Sequence, residues 1–253
     1  MIIRKDICYS SYRDESHKIN LYLPEGKCKA LLLYLHGGGF VEGNRDLDSM
    51  PDFAKDMTDA GIAIASAEYR MYPEAKYPDF IEDAAEAAAY TKRELLPLVE
   101  CEKLFVCGTS AGAYLSMMLC FDERWLGKYG LTANDMDGFI HDAGQPTVHF
   151  NVLKERGIDS RRIIVDDSAP LYHVGKNTDY PPMQIIVSDN DMENRLEETE
   201  LLVGTLRRFG YGADKVTYTK THGTHVWYVR HTDDNGHNEF AKILLPFIKE
   251  NLS

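Results

Sequence analysis

Short apolar runs alternate with stretches of helical periodicity along nearly the whole chain of 253 residues. A continuous apolar run such as Ala30–Leu35 predicts a strand that is buried on both faces. Alanine and leucine at helical spacing over residues 77–96 predict a helix, which Pro97 ends. Strands that alternate with helices in this way favour a mostly parallel sheet covered by helices on both faces. The sequence therefore predicts an α/β fold.

The pattern predicts eight strands and five longer helices. The strands fall at residues 2–9, 18–23, 30–35, 62–68, 104–107, 138–141, 183–187 and 215–221, and the helices at 50–60, 77–96, 111–121, 193–209 and 238–251. The first two strands are expected to form an antiparallel hairpin. No linker or repeat interrupts the pattern, so residues 1–253 are expected to form one domain. Residues 144–182 contain four prolines and have weak periodicity, which predicts a lid or a substrate-binding insertion.

The charge balance excludes some classes of partner. Lys and Arg number 28 against 40 Asp and Glu, which gives a formal charge of −12. Such a balance repels phosphate backbones, so nucleic-acid binding is not expected. No apolar stretch approaches the roughly 20 residues that cross a bilayer, so no membrane association is expected. The sequence carries no signal for an oligomeric state.

The cysteines and the first residues of the chain indicate the cellular compartment of the protein. The five cysteines are odd in number and form no CxxC pair, unlike a disulfide framework or a zinc site. We therefore expect all five to be reduced, most of them in the core. The first residues lack a basic segment followed by a long apolar run, so no secretory signal is visible. Both observations predict a cytoplasmic protein.

A candidate nucleophile lies between a predicted strand and a predicted helix, in the pentad Gly108-Thr109-Ser110-Ala111-Gly112. In that context a G-x-S-x-G sequence places its serine on a strained turn, with the hydroxyl exposed above the sheet. The pentad alone is weak evidence, because chance produces it in about one chain in ten of this length. The alternative is a tight turn with an idle serine.

A glycine run follows the first predicted parallel strand, in the sequence His36-Gly37-Gly38-Gly39-Phe40. Consecutive glycines leave backbone N–H groups exposed, as the oxyanion of an acyl-transfer intermediate requires. A phosphate-binding loop is the alternative, but no Gly-Lys-Ser/Thr follows the run. The histidine is expected to be a structural hydrogen-bonding group rather than a proton carrier.

The two motifs together resemble serine esterases of the α/β-hydrolase fold, close to the hormone-sensitive-lipase-like and small carboxylesterase groups. The segment from Tyr69-Arg70 to Pro78, continuing to Glu82-Asp83, resembles the stretch that these families carry between the motifs. The resemblance extends from about residue 28 to the C-terminus. It implies an eight-stranded, mostly parallel sheet and an acyl-transfer mechanism without a cofactor or metal. Only 35 residues precede His36, so no large N-terminal cap is expected.

The resemblance also implies an acid and a base after the serine in the chain. The family pattern Gly-x-x-Asp, placed on Ser188, selects Asp191 as the acid, with Asp189 as the alternative. The pattern of a Gly, one residue, the His and an aromatic two positions on selects His225 over His222 as the base.

In the expected mechanism Ser110 attacks an ester carbonyl, His225 takes its proton and Asp191 orients the imidazole. Backbone N–H groups of Gly38, Gly39 and Ala111 are expected to hold the oxyanion. The aromatic residues Phe40, Tyr114 and Trp227 are expected to line a substrate pocket.

The expected activity is hydrolysis of short-chain or carbohydrate-linked esters, of the acetyl or feruloyl type, with a small-molecule ester as the substrate. One alternative is an amide hydrolase of the arylformamidase type on the same fold. A second alternative is a non-catalytic binding module. Such modules usually lose a catalytic residue or the oxyanion glycines, whereas all are present in this chain.

Overall fold

A computed structural model describes residues 1–177 and 179–252. Eight strands form one sheet in the order β1-β2-β4-β3-β5-β6-β7-β8. The strands are β1 (Ile2–Cys8), β2 (Lys18–Leu23), β3 (Ala30–Leu35), β4 (Ile62–Ala67), β5 (Lys103–Thr109), β6 (Gly138–Asp142), β7 (Met183–Ser188) and β8 (Val216–Thr221). Pairing is antiparallel between β1 and β2 and between β2 and β4, and parallel from β4 to β8. The prediction of an eight-stranded, mostly parallel sheet is confirmed.

Helices cover both faces of the sheet, as the apolar runs require. The helices are α1 (Pro51–Asp59), α2 (Asp79–Tyr90), α3 (Leu96–Leu98), α4 (Ala111–Phe121), α5 (Glu123–Gly127), α6 (Phe150–Glu155), α7 (Pro170–His173), α8 (Arg195–Arg208) and α9 (Glu239–Glu250). Alternate residues of β3 enter opposite layers of the core. Leu31 and Leu33 pack with residues of α2 and α4, whereas Leu32 packs with residues of α1 and α9. All six β3 residues are buried, which explains the unbroken apolar run.

The helices differ from the sequence prediction in their details. The predicted helix at 77–96 continues past Tyr90 through a π-helical turn, Thr91–Leu95, into α3. Pro97 therefore lies inside α3, and the prediction that it ends the helix was wrong. The short helices α5, α6 and α7 were not predicted, because four to six residues are too few to show a helical period.

The parallel strands place their carboxyl ends along one edge of the sheet. β5 ends at Thr109, directly before the candidate nucleophile, and α4 begins at Ala111. Two strands further along, β7 ends at Ser188, and its neighbour β8 ends at Thr221. The loops that follow these strands carry the candidate acid and base, so the topology brings all three to one edge.

Two cysteines that were expected to be reduced form a disulfide. Cys28 and Cys101 are bonded across 73 residues of sequence, with their Cα atoms 5.5 Å apart. Both lie directly before neighbouring parallel strands, so the register between β3 and β5 brings them together. Cys8, Cys107 and Cys120 are free thiols. The interpretation of all five cysteines as reduced was therefore wrong, and it no longer supports a cytoplasmic location, because disulfides persist mainly in oxidising compartments.

Over residues 1–177 and 179–252, no helix is long and apolar enough to cross a membrane. Within the same ranges, no group of three or more His, Cys, Asp or Glu side chains is arranged to hold a metal ion.

Candidate active site

Ser110 occupies a strained turn between β5 and α4. Its φ of 54° and ψ of −111° lie outside the helical and extended regions, and its N–H donates to the Asp142 carbonyl at 2.7 Å. The turn depends on two glycines. A Cβ on Gly112 would lie 2.0 Å from the Leu35 carbonyl oxygen, and a Cβ on Gly108 would lie 1.9 Å from the Gly112 oxygen. The close approach of helix and strand therefore explains why the pentad needs both glycines.

A hydrogen-bond chain joins the three residues that the sequence singles out as nucleophile, base and acid. The Ser110 Oγ lies 2.9 Å from Nε2 of His225, and Nδ1 of His225 lies 2.6 Å from Oδ1 of Asp191. The Asp191 side chain has no exposed surface, and that of His225 is 23% exposed. Burial is the largest single effect on Asp191 and disfavours its charge. The hydrogen bond and charge of His225, the Met192 N–H and the charge of Arg195 together outweigh burial and leave the pKa of Asp191 below its ordinary value.

The two rival residues pair with each other and not with Ser110. Oδ2 of Asp189 lies 2.5 Å from Nδ1 of His222, whose side chain is fully exposed. Oδ1 of Asp189 accepts the Gly223 N–H at 2.9 Å, and the Asp189 N–H donates to the Thr221 carbonyl at 2.9 Å. Asp189 therefore joins the loop after β7 to the loop after β8, which carry Asp191 and His225.

The glycine loop presents its backbone N–H groups next to Ser110. A Cβ on Gly37 would lie 3.2 Å from the Ser110 Cβ, so the loop touches the nucleophile. The N–H groups of Gly38, Gly39 and Ala111 have no hydrogen-bond acceptor within residues 1–177 and 179–252. The Gly38 carbonyl accepts the N–H groups of residues 41 and 42, and this fixes the peptide that carries the Gly39 N–H. These donors are free to stabilise an oxyanion.

Side chains behind the loop hold its conformation. Nε2 of His36 lies 2.8 Å from the Glu68 carboxylate, and the Tyr69 hydroxyl donates to the His36 carbonyl at 2.7 Å. Arg70, in the motif between the two loops, forms a two-point ion pair with Asp83 at 2.7 and 2.8 Å. As expected, His36 hydrogen-bonds within the scaffold. Glu68 was not identified from sequence, although it directly precedes the Tyr69-Arg70 motif.

Asn151 is a site residue that the sequence analysis missed. Its Nδ2 donates to the Gly39 carbonyl at 2.5 Å, which joins α6 to the glycine loop. Gly39 and Phe40 both have positive φ, 62° and 64°, so the loop adopts a conformation that needs support. A single asparagine in an irregular segment gives no sequence signal for this contact.

An open cleft of about 880 Å³ contains Ser110 and His225. Its remaining wall includes Gly37, Gly38, Gly39, Val41, Phe150, Asn151, Lys154, Met192, Val226, Trp227 and Arg230. Of the three aromatic residues expected to line a pocket, only Trp227 does so. Phe40 and Tyr114 have no exposed surface, because Phe40 stacks on Phe80 at 4.2 Å and the Tyr114 hydroxyl donates to the Ser168 carbonyl. Their assignment to the pocket wall is therefore corrected to the core.

A second carboxyl lies beneath the nucleophile turn. Asp142 has no exposed surface, and its Oδ1 accepts the Tyr228 hydroxyl. Its Oδ2 has no hydrogen-bond partner among the described residues. Burial raises the pKa of Asp142 to about 7 despite the Tyr228 hydrogen bond. This buried position favours a neutral carboxylic acid over an anion. Asp142 is therefore a weaker candidate than Asp191 for the carboxylate that pairs with His225.

Comparison with known proteins assigns the fold. Residues 32–136, from β3 to the end of the segment after α5, match a family model described as alpha/beta hydrolase fold. An acetyl esterase of Salmonella schwarzengrund is 32% identical over 127 residues, which cover 44% of this chain and 39% of that protein. An acetyl esterase of Salmonella agona matches to the same extent. The chain thus spans about two fifths of the length of the curated relatives it matches.

Solved structures resemble this chain over nearly its whole length. A truncated carbohydrate esterase from gut microbiota has a TM-score of 0.80 and 18% identity, covering 100% of this chain and 96% of that one. Esterase B from Lactobacillus rhamnosis has a TM-score of 0.76 and 18% identity, covering 99% and 86%. Butyrate-bound Est2 of Thermogutta terrifontis has a TM-score of 0.75 and 17% identity, covering 97% and 93%. At these identities the likeness establishes a shared fold.

Proposed function

We propose that this member of the α/β-hydrolase fold family is a serine hydrolase that cleaves carboxylic esters through Ser110, His225 and Asp191. Its proposed substrates are short-chain or carbohydrate-linked esters of the acetyl or feruloyl type. The observation that carries the proposal is the hydrogen-bond chain from Asp191 through His225 to Ser110, beside free backbone N–H groups. A tight turn with an idle serine has no need of a buried carboxylate two hydrogen bonds away.

The chemistry follows from the order of the hydrogen bonds. The Ser110 hydroxyl transfers its proton to Nε2 of His225 as its oxygen attacks the ester carbonyl. Asp191 accepts the Nδ1 hydrogen of His225, which fixes the tautomer and stabilises the imidazolium that forms. The N–H groups of Gly38, Gly39 and Ala111 stabilise the carbonyl oxygen as it becomes an oxyanion.

The second half of the reaction uses the same groups in reverse roles. The imidazolium of His225 gives its proton to the departing alcohol, which leaves an acyl group on Ser110. A water molecule then loses a proton to His225 and attacks the acyl carbonyl. The carboxylic acid leaves, and Ser110 regains its proton.

The size and the lining of the cleft suit small or extended esters. Its volume of about 880 Å³ is within the usual range for small-molecule sites, and its wall combines Val226 and Trp227 with polar groups. The names of the relatives, which include acetyl and carbohydrate esterases, agree with this choice.

A hydrolysis panel tests the proposal. We expect wild-type protein to release alcohol from acetyl, butyryl, octanoyl or feruloyl esters. In Ser110→Ala, kcat should fall by a factor of about 10⁴ or more. The matched control is Ser116→Ala, because Ser116 belongs to the same helix and its hydroxyl contacts His141, outside the cleft. Equal rates for wild type and Ser110→Ala, with both proteins folded, would exclude the serine mechanism. Turnover of N-formyl arylamides alone would favour the amide-hydrolase alternative.

A further inference from the structure

A second cavity of about 250 Å³ adjoins the catalytic cleft. Phe150 and Met192 belong to the walls of both, so the two spaces meet at these side chains. Met192 directly follows Asp191 in the chain, and Phe150 lies against Gly39, where a Cβ would be 3.5 Å from its ring. The second cavity therefore lies beside the catalytic cleft, where it is a candidate site for a group attached to an ester at Ser110.

The wall of this cavity contains a buried arginine without an ionic partner. Arg195 is only 4% exposed, and among the described residues its side chain makes one hydrogen bond, from Nη1 to the Ala143 carbonyl. Within residues 1–177 and 179–252, no carboxylate oxygen lies within 4.0 Å of its guanidinium. Buried arginines are rare unless paired, because removal of the charge from water is costly. Burial lowers the pKa of Arg195 and outweighs the more distant Asp191 and Glu198.

Carboxylates lie near Arg195, but none forms a close ion pair with it: Glu198 lines the same cavity, and Asp191 and Glu198 act on the guanidinium only from a distance. Arg195 begins α8, a helix of 14 residues, so the positive end of the helix dipole adds to its charge. The Glu198 carboxylate accepts a hydrogen bond from Thr147 at 3.2 Å instead of binding Arg195, and burial raises the pKa of Glu198. Three exposed charged side chains also belong to the wall: Arg161, which pairs with Asp159, Arg162, and Glu193, whose negative charge opposes that of Arg162.

We propose that the cavity lined by Arg195 is a subsite for a carboxylate carried by the substrate, so that the enzyme prefers esters with a carboxylate over neutral esters of the same shape. The inference rests on the proposed esterase activity. A guanidinium with free N–H groups in one plane binds a planar carboxylate at two points. The overall charge of −12 does not oppose this binding, because charges farther away than the Debye length, about 8 Å at physiological salt, are largely screened.

Two pairs of esters test the subsite from either side of the scissile bond. On the acyl side, mono-(4-nitrophenyl) adipate is compared with 4-nitrophenyl hexanoate. On the alcohol side, 4-acetoxybenzoate is compared with its methyl ester. In at least one pair we expect kcat/KM for the anion to exceed that for the neutral ester by about tenfold at low salt, as one charge-assisted pair provides. The preference should fall as salt rises.

The variants assign the preference to Arg195. Arg195→Gln should reduce the ratio of anionic to neutral kcat/KM by about tenfold. Arg208→Gln, the same change at the exposed far end of α8, should leave the ratio as in wild type. If Arg195→Gln does not fold, Arg162→Glu provides a second variant at an exposed position, and it should also lower the ratio.

The outcomes separate this inference from the proposed function. Ester turnover that depends on Ser110, with no preference for the anion in either pair, would overturn the subsite alone. Loss of all ester turnover would overturn the proposed function. In that case the affinities of 4-acetoxybenzoate and its methyl ester for wild type and Arg195→Gln, measured by calorimetry, still test whether the subsite binds a carboxylate. Equal affinities for the two compounds would refute it.

Discussion

The pairing of acid and base predicts losses of very different size for substitutions at two neighbouring aspartates. Asp191→Asn keeps the shape of the side chain but replaces the oxygen at 2.6 Å from His225 Nδ1 with a group that favours the wrong tautomer. The side chain is fully buried, so water cannot take over the role of the carboxylate. We expect kcat to fall by about 10⁴, or about 5 kcal/mol of transition-state stabilisation.

Asp189→Asn should cost less than about tenfold in kcat, because an exposed ion pair contributes little and an asparagine oxygen can still accept the Gly223 N–H. The assay is steady-state kcat and KM for 4-nitrophenyl acetate, with circular dichroism to confirm that both variants fold. Asp191→Asn combined with Ser110→Ala should be no slower than Ser110→Ala alone, because the residues act as one unit. A larger loss for Asp189→Asn than for Asp191→Asn would refute the assignment of the acid.

Three further predictions concern the scaffold. Asn151→Ala should lower kcat about tenfold with little change in KM, because the Gly39 carbonyl loses its support; an unchanged kcat would contradict the role of Asn151. Cys28→Ser should reduce the free energy of unfolding by about 4 kcal/mol in urea titrations without reductant, since the disulfide with Cys101 closes a loop of 73 residues. In the native protein Asp142 has a pKa of about 7 and keeps a proton that the unfolded chain releases near pH 4. The stability that this proton contributes is complete below about pH 4 and is lost as the pH rises from there through 7. Relative to Asp142→Asn, wild type should therefore lose about 1.4 kcal/mol of stability per pH unit between pH 5 and 7; parallel curves would contradict a buried neutral acid.

The strand positions and the mostly parallel sheet could be predicted from sequence because burial on both faces leaves an unbroken apolar run, as at Ala30–Leu35. The same logic places Ser110, Asp191 and His225 together, since residues after the carboxyl ends of parallel strands share one edge. The choice of Asp191 over Asp189 came only from the resemblance to a family pattern. Composition and periodicity could not supply it, because both side chains follow the same strand.

Side-chain direction and long-range pairing escaped the sequence analysis for a common physical reason. Phe40 directly follows the glycine loop, but its positive φ turns the ring away from the cleft and onto Phe80. The disulfide depends on which strands are neighbours: Cys28 and Cys101 approach because β3 pairs in register with β5, a strand that does not follow it directly in sequence. Arg195 reads in the sequence as an ordinary charge at a helix start, and only the packing around it shows that it is buried without a carboxylate. In each case the contact joins residues that are far apart in the chain, and no periodic pattern in the sequence indicates it. These details of the cleft therefore follow only from the tertiary fold.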